Sequence, residues 1–369
     1  WDGPGAGPIL AGSIAAYSPH WNKQNRRNLP FIMQDFRHLR QMTDLNGMLQ
    51  FSRLRTPDKQ SGYTLDDNAR ALIVALLNDF PDNEVLNYTR FLFQAQQKDG
   101  SWSNFYGNEK YLSSFDSEDS VGRAIIACAL GLESDFIPVR ELCLQMLKNN
   151  AARTLQFTAP RSIAYALVGL CRINDRGRNN WQNMIIERLC SNLQALYDTW
   201  HSPDWYWFEN HLTYCNGILP QAMLAVYNYN GNKKALKIGR DSLDFLSSIL
   251  FRQGYLNIVG NKGWYQRGGS IPLFDQQPVD AASVVFALNE GYQAIGRQEY
   301  LDMAQKGYLW YQGENINSMS MYDPVTGGCF DALTEEGVNL NQGAEAVLSL
   351  LLAESVIREN QQIKTEKTS

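Results

Sequence analysis

Tyr63-Thr64-Leu65-Asp66-Asp67-Asn68-Ala69-Arg70-Ala71-Leu72 opens a helix that runs on through Ile73-Val74-Ala75-Leu76-Leu77. Two acids sit in the first turn and an apolar body follows. The same plan recurs five times. Asp116-Ser117-Glu118-Asp119-Ser120 precedes an apolar run over 121–132, and Ala159-Pro160-Arg161-Ser162 precedes 163–170. Leu212-Thr213-Tyr214-Cys215-Asn216-Gly217 leads into 218–229, and Gln277-Pro278-Val279-Asp280 into 281–295. Asn341-Gln342-Gly343-Ala344-Glu345 leads into 346–357. Six segments with one plan argue for a single repeated architecture rather than several domains.

Between these runs lie amphipathic stretches that predict outer helices over 85–97, 138–149, 181–199, 233–250 and 298–311. An amphipathic stretch over 31–42 supplies the sixth, as partner of the last inner helix. Gly-plus-aromatic turns join most outer helices to the next inner one, such as Lys98-Asp99-Gly100-Ser101-Trp102. The Asp-Gly pair there stops a helix because glycine tolerates the left-handed conformation at a C-terminus. The inner helices are rich in Ala and Leu nearly all round, which predicts burial on every face. Six inner and six outer helices close most economically into an all-α (α/α)₆ barrel over residues 30–360. Residues 1–29 read as an arm packed on the barrel through Trp1, Tyr17 and Trp21, and 361–369 as a polar tail.

Composition narrows the function. Lys plus Arg number 33 against 38 Asp plus Glu, and no basic run appears, so the electrostatic footprint of a nucleic-acid binder is missing. The apolar stretches are too short to span a bilayer. Six cysteines without a CxxC spacing read as small buried hydrophobes and lean towards a reducing, cytoplasmic compartment. The first residue is Trp1, which keeps the periplasm open. The four histidines form no HxxxH or HExxH pattern, so no metal is expected, although the rim acids leave room for a hard cation. No nucleophile elbow, phosphate loop or dinucleotide fingerprint occurs, so no cofactor is expected. Oligomeric state is not legible.

In a ring of hairpins all inner helices run the same way, and their N-termini converge on one rim. That rim would carry Asp66, Asp67, Glu118, Asp119, Arg161, Asp280 and Glu345, with Trp102, Trp205, Trp207, Glu209, Trp264, Arg267, Asp275 and Asp331 from the loops. Each acid also has a plain structural reading, because a carboxylate at a helix N-terminus is stabilised by roughly 0.3–1 kcal/mol. Thr64-x-x-Asp67 has the look of a capping box. Capping alone does not require the pairs Asp66-Asp67 and Glu118-Asp119, nor a rim rich in Trp. Aromatic faces bordered by carboxylates suit pyranose rings, and glycosidic cleavage needs a proton donor and a second carboxylate. Glu209, in Trp205-Tyr206-Trp207-Phe208-Glu209-Asn210, is the first choice of donor because its aromatic neighbours could raise a carboxyl pKa. Asp67 and Asp119 are the choices for the second carboxylate, with Asp275 in reserve. Arg161 and Arg267 would hold a hydroxyl-rich or anionic group.

Gly62-Tyr63-Thr64-Leu65-Asp66-Asp67-Asn68-Ala69-Arg70-Ala71-Leu72, Ser117-Glu118-Asp119-Ser120 with Gly122-Arg123-Ala124, Pro160-Arg161-Ser162, Phe274-Asp275-Gln276-Gln277-Pro278-Val279-Asp280-Ala281 and Asn339-Leu340-Asn341-Gln342-Gly343-Ala344-Glu345 together resemble a bacterial family of six-hairpin, glycosidase-like barrels. Related segments occur at the C-terminal side of some bacterial glycosyltransferases. The resemblance covers about residues 34–355. It implies an (α/α)₆ toroid and a carbohydrate-related role, without a settled catalytic pair. The leading expectation is a glycoside hydrolase on an oligosaccharide, with mannose-containing chains among the candidates. The alternatives are a glycan-binding toroid that partners a transferase, or an epimerase or lyase on the same scaffold.

Overall fold

The computed structural model describes residues 32–113, 115–173 and 180–366. Residues 33–369 form one compact unit. The expected N-terminal arm, and with it Trp1, Tyr17 and Trp21, lies outside the described residues. Among the described residues twelve α-helices follow in order: α1 (Arg37–Gln41), α2 (Leu65–Leu77), α3 (Asp82–Ala95), α4 (Glu118–Gly131), α5 (Ile137–Asn150) and α6 (Pro160–Arg172), then α7 (Asn180–Trp200), α8 (Ile218–Asn230), α9 (Lys233–Leu250), α10 (Pro278–Ile295), α11 (Gln298–Leu309) and α12 (Ala344–Glu366).

The even-numbered helices form a closed inner ring. Each packs on the next, from α2 through α4, α6, α8 and α10 to α12, and α12 returns against α2. Each odd-numbered helix lies outside its partner, α3 on α2 round to α1 on α12. The fold is the (α/α)₆ barrel read from the sequence. Small residues let the inner helices approach closely. A Cβ on Gly122 would lie 2.6 Å from the Tyr165 Cβ, and one on Gly217 would lie 2.1 Å from the Ser283 carbonyl oxygen. Helix ends follow local chemistry. The Thr64 hydroxyl accepts from the Asp67 amide and the Ser117 hydroxyl from the Ser120 amide, each closing a first turn. Gly231 and Gly296 end α8 and α10 at φ 74° and 77°.

Three expectations change. The outer helix expected over 31–42 shrinks to α1, because the Asp35 carboxylate accepts from the Arg37 amide and starts the helix there. The last inner helix runs on to Glu366, past the expected start of the tail. The inner helices are not buried on all faces: Leu76, Ile126, Leu130 and Phe286 are only half-buried, because the ring is hollow. Short antiparallel strand pairs stiffen the rim loops, among them Tyr63–Thr64 with Phe105–Gly107, and His211–Leu212 with Tyr265–Gln266. All six cysteines are free, and five of them are buried.

Candidate active site

The N-termini of the inner helices open on a cavity of about 570 Å³. Its titratable lining groups are Glu118, Asp119, Arg123, Tyr214, Cys215 and Glu345, with Ser162 and Trp264 beside them. The acids fall into three groups according to what already holds them.

The first group, Asp66 and Asp67, is held by arginines and does not line the cavity. Asp67 accepts from the Thr64 hydroxyl at 2.6 Å and from Arg70 at 3.0 Å. Arg70 reaches on to Glu345 at 2.8 Å and to Asp66 at 3.2 Å. Asp66 also accepts from Arg123 at 2.8 Å, and Arg123 donates to the Tyr165 hydroxyl at 2.9 Å while lying over its ring. Burial works against ionisation of Asp66, but the guanidiniums of Arg123 and Arg70 overcome it and hold its pKa below the ordinary range. For Asp67 burial wins and pushes the pKa up to about 7, with only part of the effect offset by Arg70. One acid of the pair is held charged, and its neighbour sits near neutrality.

The second group caps a neighbouring helix. Glu118 accepts from the amides of Thr158 and Ala159 at 2.9 and 3.0 Å, at the entrance of α6. Asp331 accepts from the Gly343 amide at 2.6 Å, just before α12. Asp280 accepts from the Cys215 amide ahead of α8. Asp280 is buried, and that burial lifts its pKa to about 7. These acids pin the rim loops across the ring, so the capping reading holds between elements rather than within one.

Asp119 belongs to neither group. It lines the cavity and takes its hydrogen bonds from side-chain hydroxyls, Ser162 on one oxygen and Tyr214 at 2.9 Å on the other. The nearest guanidinium, Arg123, stands 4.0 Å away. Tyr214, more than a third exposed, lies over Arg161 and 6.4 Å from the Trp264 ring. Two residues bordering the cavity, Cys215 and Trp264, adopt left-handed backbone at φ 43° and 54°. Non-glycine residues in that region cost about 1 kcal/mol or more and gather at functional sites.

Several expected site residues serve elsewhere. Glu209 pairs with Arg161 at 2.7 Å, and its backbone carbonyl accepts from the Trp205 indole. Arg161 also donates to the Asn216 side chain at 3.0 Å. Arg161, in the first turn of α6, thus ties down the loop ahead of α8, and neither Arg161 nor Glu209 lines the cavity. Trp102, Trp205 and Trp207 are buried rings, with Trp207 fully enclosed, so they cannot stack on a sugar. They fill the space between loops and outer helices; Trp102 donates its indole N–H to the Leu92 carbonyl at 2.8 Å. Arg267 pairs with Asp204 at 2.7 Å, and Asp275 with Lys262 at 3.1 Å, both away from the cavity lining. Of the expected tryptophans, Trp264 alone lines the cavity. Tyr214 and Ser162 were missed, although both stand in the repeated entry segments.

No histidine or lysine lines the cavity among the described residues. No group of three or more His, Cys, Asp or Glu is placed to hold a metal ion among them. No described helix is long and apolar enough to cross a membrane.

No family model matches the chain, and no curated protein sequence does. Solved structures do match. A cellobiose 2-epimerase from Bacillus thermoamylovorans aligns with a TM-score of 0.68 at 9% identity, over 87% of this chain and 94% of that one. A sugar epimerase from a ruminal bacterium gives 0.66 at 12% identity, over 86% and 94%. A GH76 α-mannanase from Bacteroides thetaiotaomicron gives 0.58 at 10% identity, over 82% and 88%. At such identities the likeness speaks for fold alone, and it agrees with the ring traced above: this chain has the six-hairpin, glycosidase-like (α/α)₆ barrel fold.

Proposed function

We propose that this protein is a carbohydrate-active enzyme, and more narrowly a glycoside hydrolase acting on an oligosaccharide. The observation that carries the reading is Asp119. It is a cavity-lining carboxylate oriented by two hydroxyls, with no capping duty and no close ion pair. Glu345, on the far side of α2, is the second accessible carboxylate and the side chain is about half exposed. Asp119 and Glu345 together supply the two carboxylates that glycosidic cleavage requires, one as proton donor and one as base or nucleophile. Trp264 and Tyr214 offer the aromatic faces for a pyranose ring. Relatives in fold include proteins described as an α-mannanase and as sugar epimerases, which supports a sugar as substrate.

Epimerisation is the second reading, favoured by those epimerase neighbours. It would need a base able to take a proton from a carbon beside a carbonyl. The cavity offers carboxylates and a tyrosine for that task, and carboxylates suit glycosidic cleavage better.

The test incubates wild type, Asp119→Asn and Glu345→Gln with manno-, gluco- and galacto-oligosaccharides. Chain shortening and epimer formation are followed together by NMR. The expected result is shortening by wild type and a loss of about 10³-fold or more in kcat for Asp119→Asn, with binding kept. Epimers without shortening would replace the hydrolase reading. Calorimetric binding with neither product would leave a glycan-binding toroid.

A further inference from the structure

Gln277 occupies the N-cap of α10 with extended backbone, yet its side chain does not cap the helix. That position usually carries Ser, Thr, Asp or Asn, whose oxygens accept from first-turn amides. The Gln277 side chain instead lines the cavity and makes no hydrogen bond to any described residue.

Asn261 is a second such amide. It lines the same cavity, and its side chain likewise bonds to no described residue. Its backbone is firmly placed. The Gly260, Asn261 and Lys262 amides donate to the Pro272, Asp275 and Phe274 carbonyls at 2.8, 3.0 and 3.2 Å. This lacing joins the loop of Asn261 and Trp264 to the segment that leads into Gln277. In the inner ring α10 stands three helices on from α4, directly across it. The two amides therefore belong to the wall opposite Asp119, which opens α4. A primary amide donates and accepts, as a sugar hydroxyl does. Two of them, unbonded on a braced wall, suit the reading of hydroxyls.

The charged lining points the same way. Glu118, Asp119 and Glu345 stand against one guanidinium, Arg123. With one of the three holding the proton that glycosidic cleavage requires, carboxylates still outnumber cations. Arg123 is already answered by Asp66 at 2.8 Å. Lys262, on the braced loop, pairs with Asp275 at 3.1 Å and does not line the cavity. An acidic group on the ligand would meet like charge here, with no unpaired cation among the described lining residues to receive it. Such juxtaposition is strongly unfavourable.

We propose that the cavity selects an uncharged glycosyl unit, with Gln277 and Asn261 bonding its hydroxyls opposite Asp119 and the surplus of acids excluding acidic sugars. This selectivity rests on the sugar reading of the cavity and holds whether cleavage or epimerisation follows.

Calorimetric titration of the full chain tests it, with α- and β-linked manno-, gluco- and galacto-trisaccharides, each beside its uronate counterpart bearing a C6 carboxylate. At least one neutral trisaccharide should bind saturably, and its uronate about tenfold or more weakly at low salt. Raising the salt to about 0.5 M should narrow that gap. Gln277→Leu and Asn261→Leu should each weaken the neutral trisaccharide about tenfold without lowering the melting temperature, since neither side chain bonds to the protein. Gln277→Lys should strengthen the uronate about tenfold, an effect that loss of structure does not produce. A uronate bound as tightly as its neutral partner would overturn the proposal, as would unchanged affinity in either leucine variant. NMR of the same samples reports turnover separately. Turnover with the uronate preferred would sink the selectivity alone, and the expected preference without product would sink the enzyme reading alone. Absence of saturable binding by every neutral trisaccharide would overturn both.

Discussion

Replacing Asp280 with Asn should stabilise this protein at pH 8 and leave it unchanged at pH 4. Asp280 is buried and its pKa rises from 3.8 to about 7, chiefly through loss of solvation. The Cys215 amide that donates to it and the charge of Arg161 offset only part of this, while Glu345 adds repulsion. Between those two values the folded protein keeps a proton that the unfolded chain releases. This contribution to stability is complete below the ordinary carboxylate range and is lost as pH rises through about 7. The three-unit window corresponds to on the order of 4 kcal/mol. Asn carries no charge at any pH and keeps an oxygen for the Cys215 amide, so the variant escapes the loss. Asp67 and Glu354, whose pKa values burial lifts to about 7 and 8, decline alike in both proteins and cancel in the comparison. At roughly 2 °C per kcal/mol for a chain of this size, the variant should melt about 8 °C above wild type at pH 8. Scanning calorimetry of both proteins at pH 4 and pH 8 measures this directly. A variant that is less stable at pH 8 than at pH 4, relative to wild type, would show that Asp280 is a charged and paired group, and would refute the reasoning.

Trp264→Ala should weaken oligosaccharide binding about tenfold in calorimetry with little change in melting temperature, since one stacking face is lost at an open site. Trp207→Ala should do the reverse, costing about 3–5 kcal/mol in chemical denaturation because its ring is fully enclosed. Gly217→Ala should cost on the order of 3 kcal/mol by the same measurement, because its Cβ would strike the Ser283 backbone and push α8 from α10. Gly231→Ala meets open space and should cost only about 1 kcal/mol, for its φ of 74°.

The ring was legible because its signal is repeated. Each inner helix announces itself by a polar entry and an apolar body, and α9 is found over the same residues that the sequence pattern delimits, Lys233–Leu250. The short α1 was overestimated because periodicity ignores the local competition of Asp35 for the Arg37 amide. The tryptophans were misread for a related reason. Composition counts aromatic rings but cannot say which side of a loop they face. Trp205 and Trp207 turn inward against Phe245, whereas Trp264 borders the cavity in a left-handed backbone conformation that no periodicity announces.

The harder question was which carboxylates cap and which do chemistry. Sequence could only treat each helix by itself, and on that basis Asp67, Asp119 and Asp280 were equivalent. In the ring, an acid on the rim can serve a neighbouring helix or loop instead of its own. Glu118 holds the entrance of α6, Asp280 the approach to α8, and Asp331 the approach to α12. Such pinning is inter-helical, and it ties the rim loops to one another where the floor must stay rigid. Once those duties are assigned, Asp119 stands out by what it lacks: no backbone amide to cap and no guanidinium closer than 4.0 Å. Its neighbours are two hydroxyls that can reorient as its charge or proton state changes. It is this setting on which the proposed role of Asp119 rests, and it is visible only when the six helix ends are considered together.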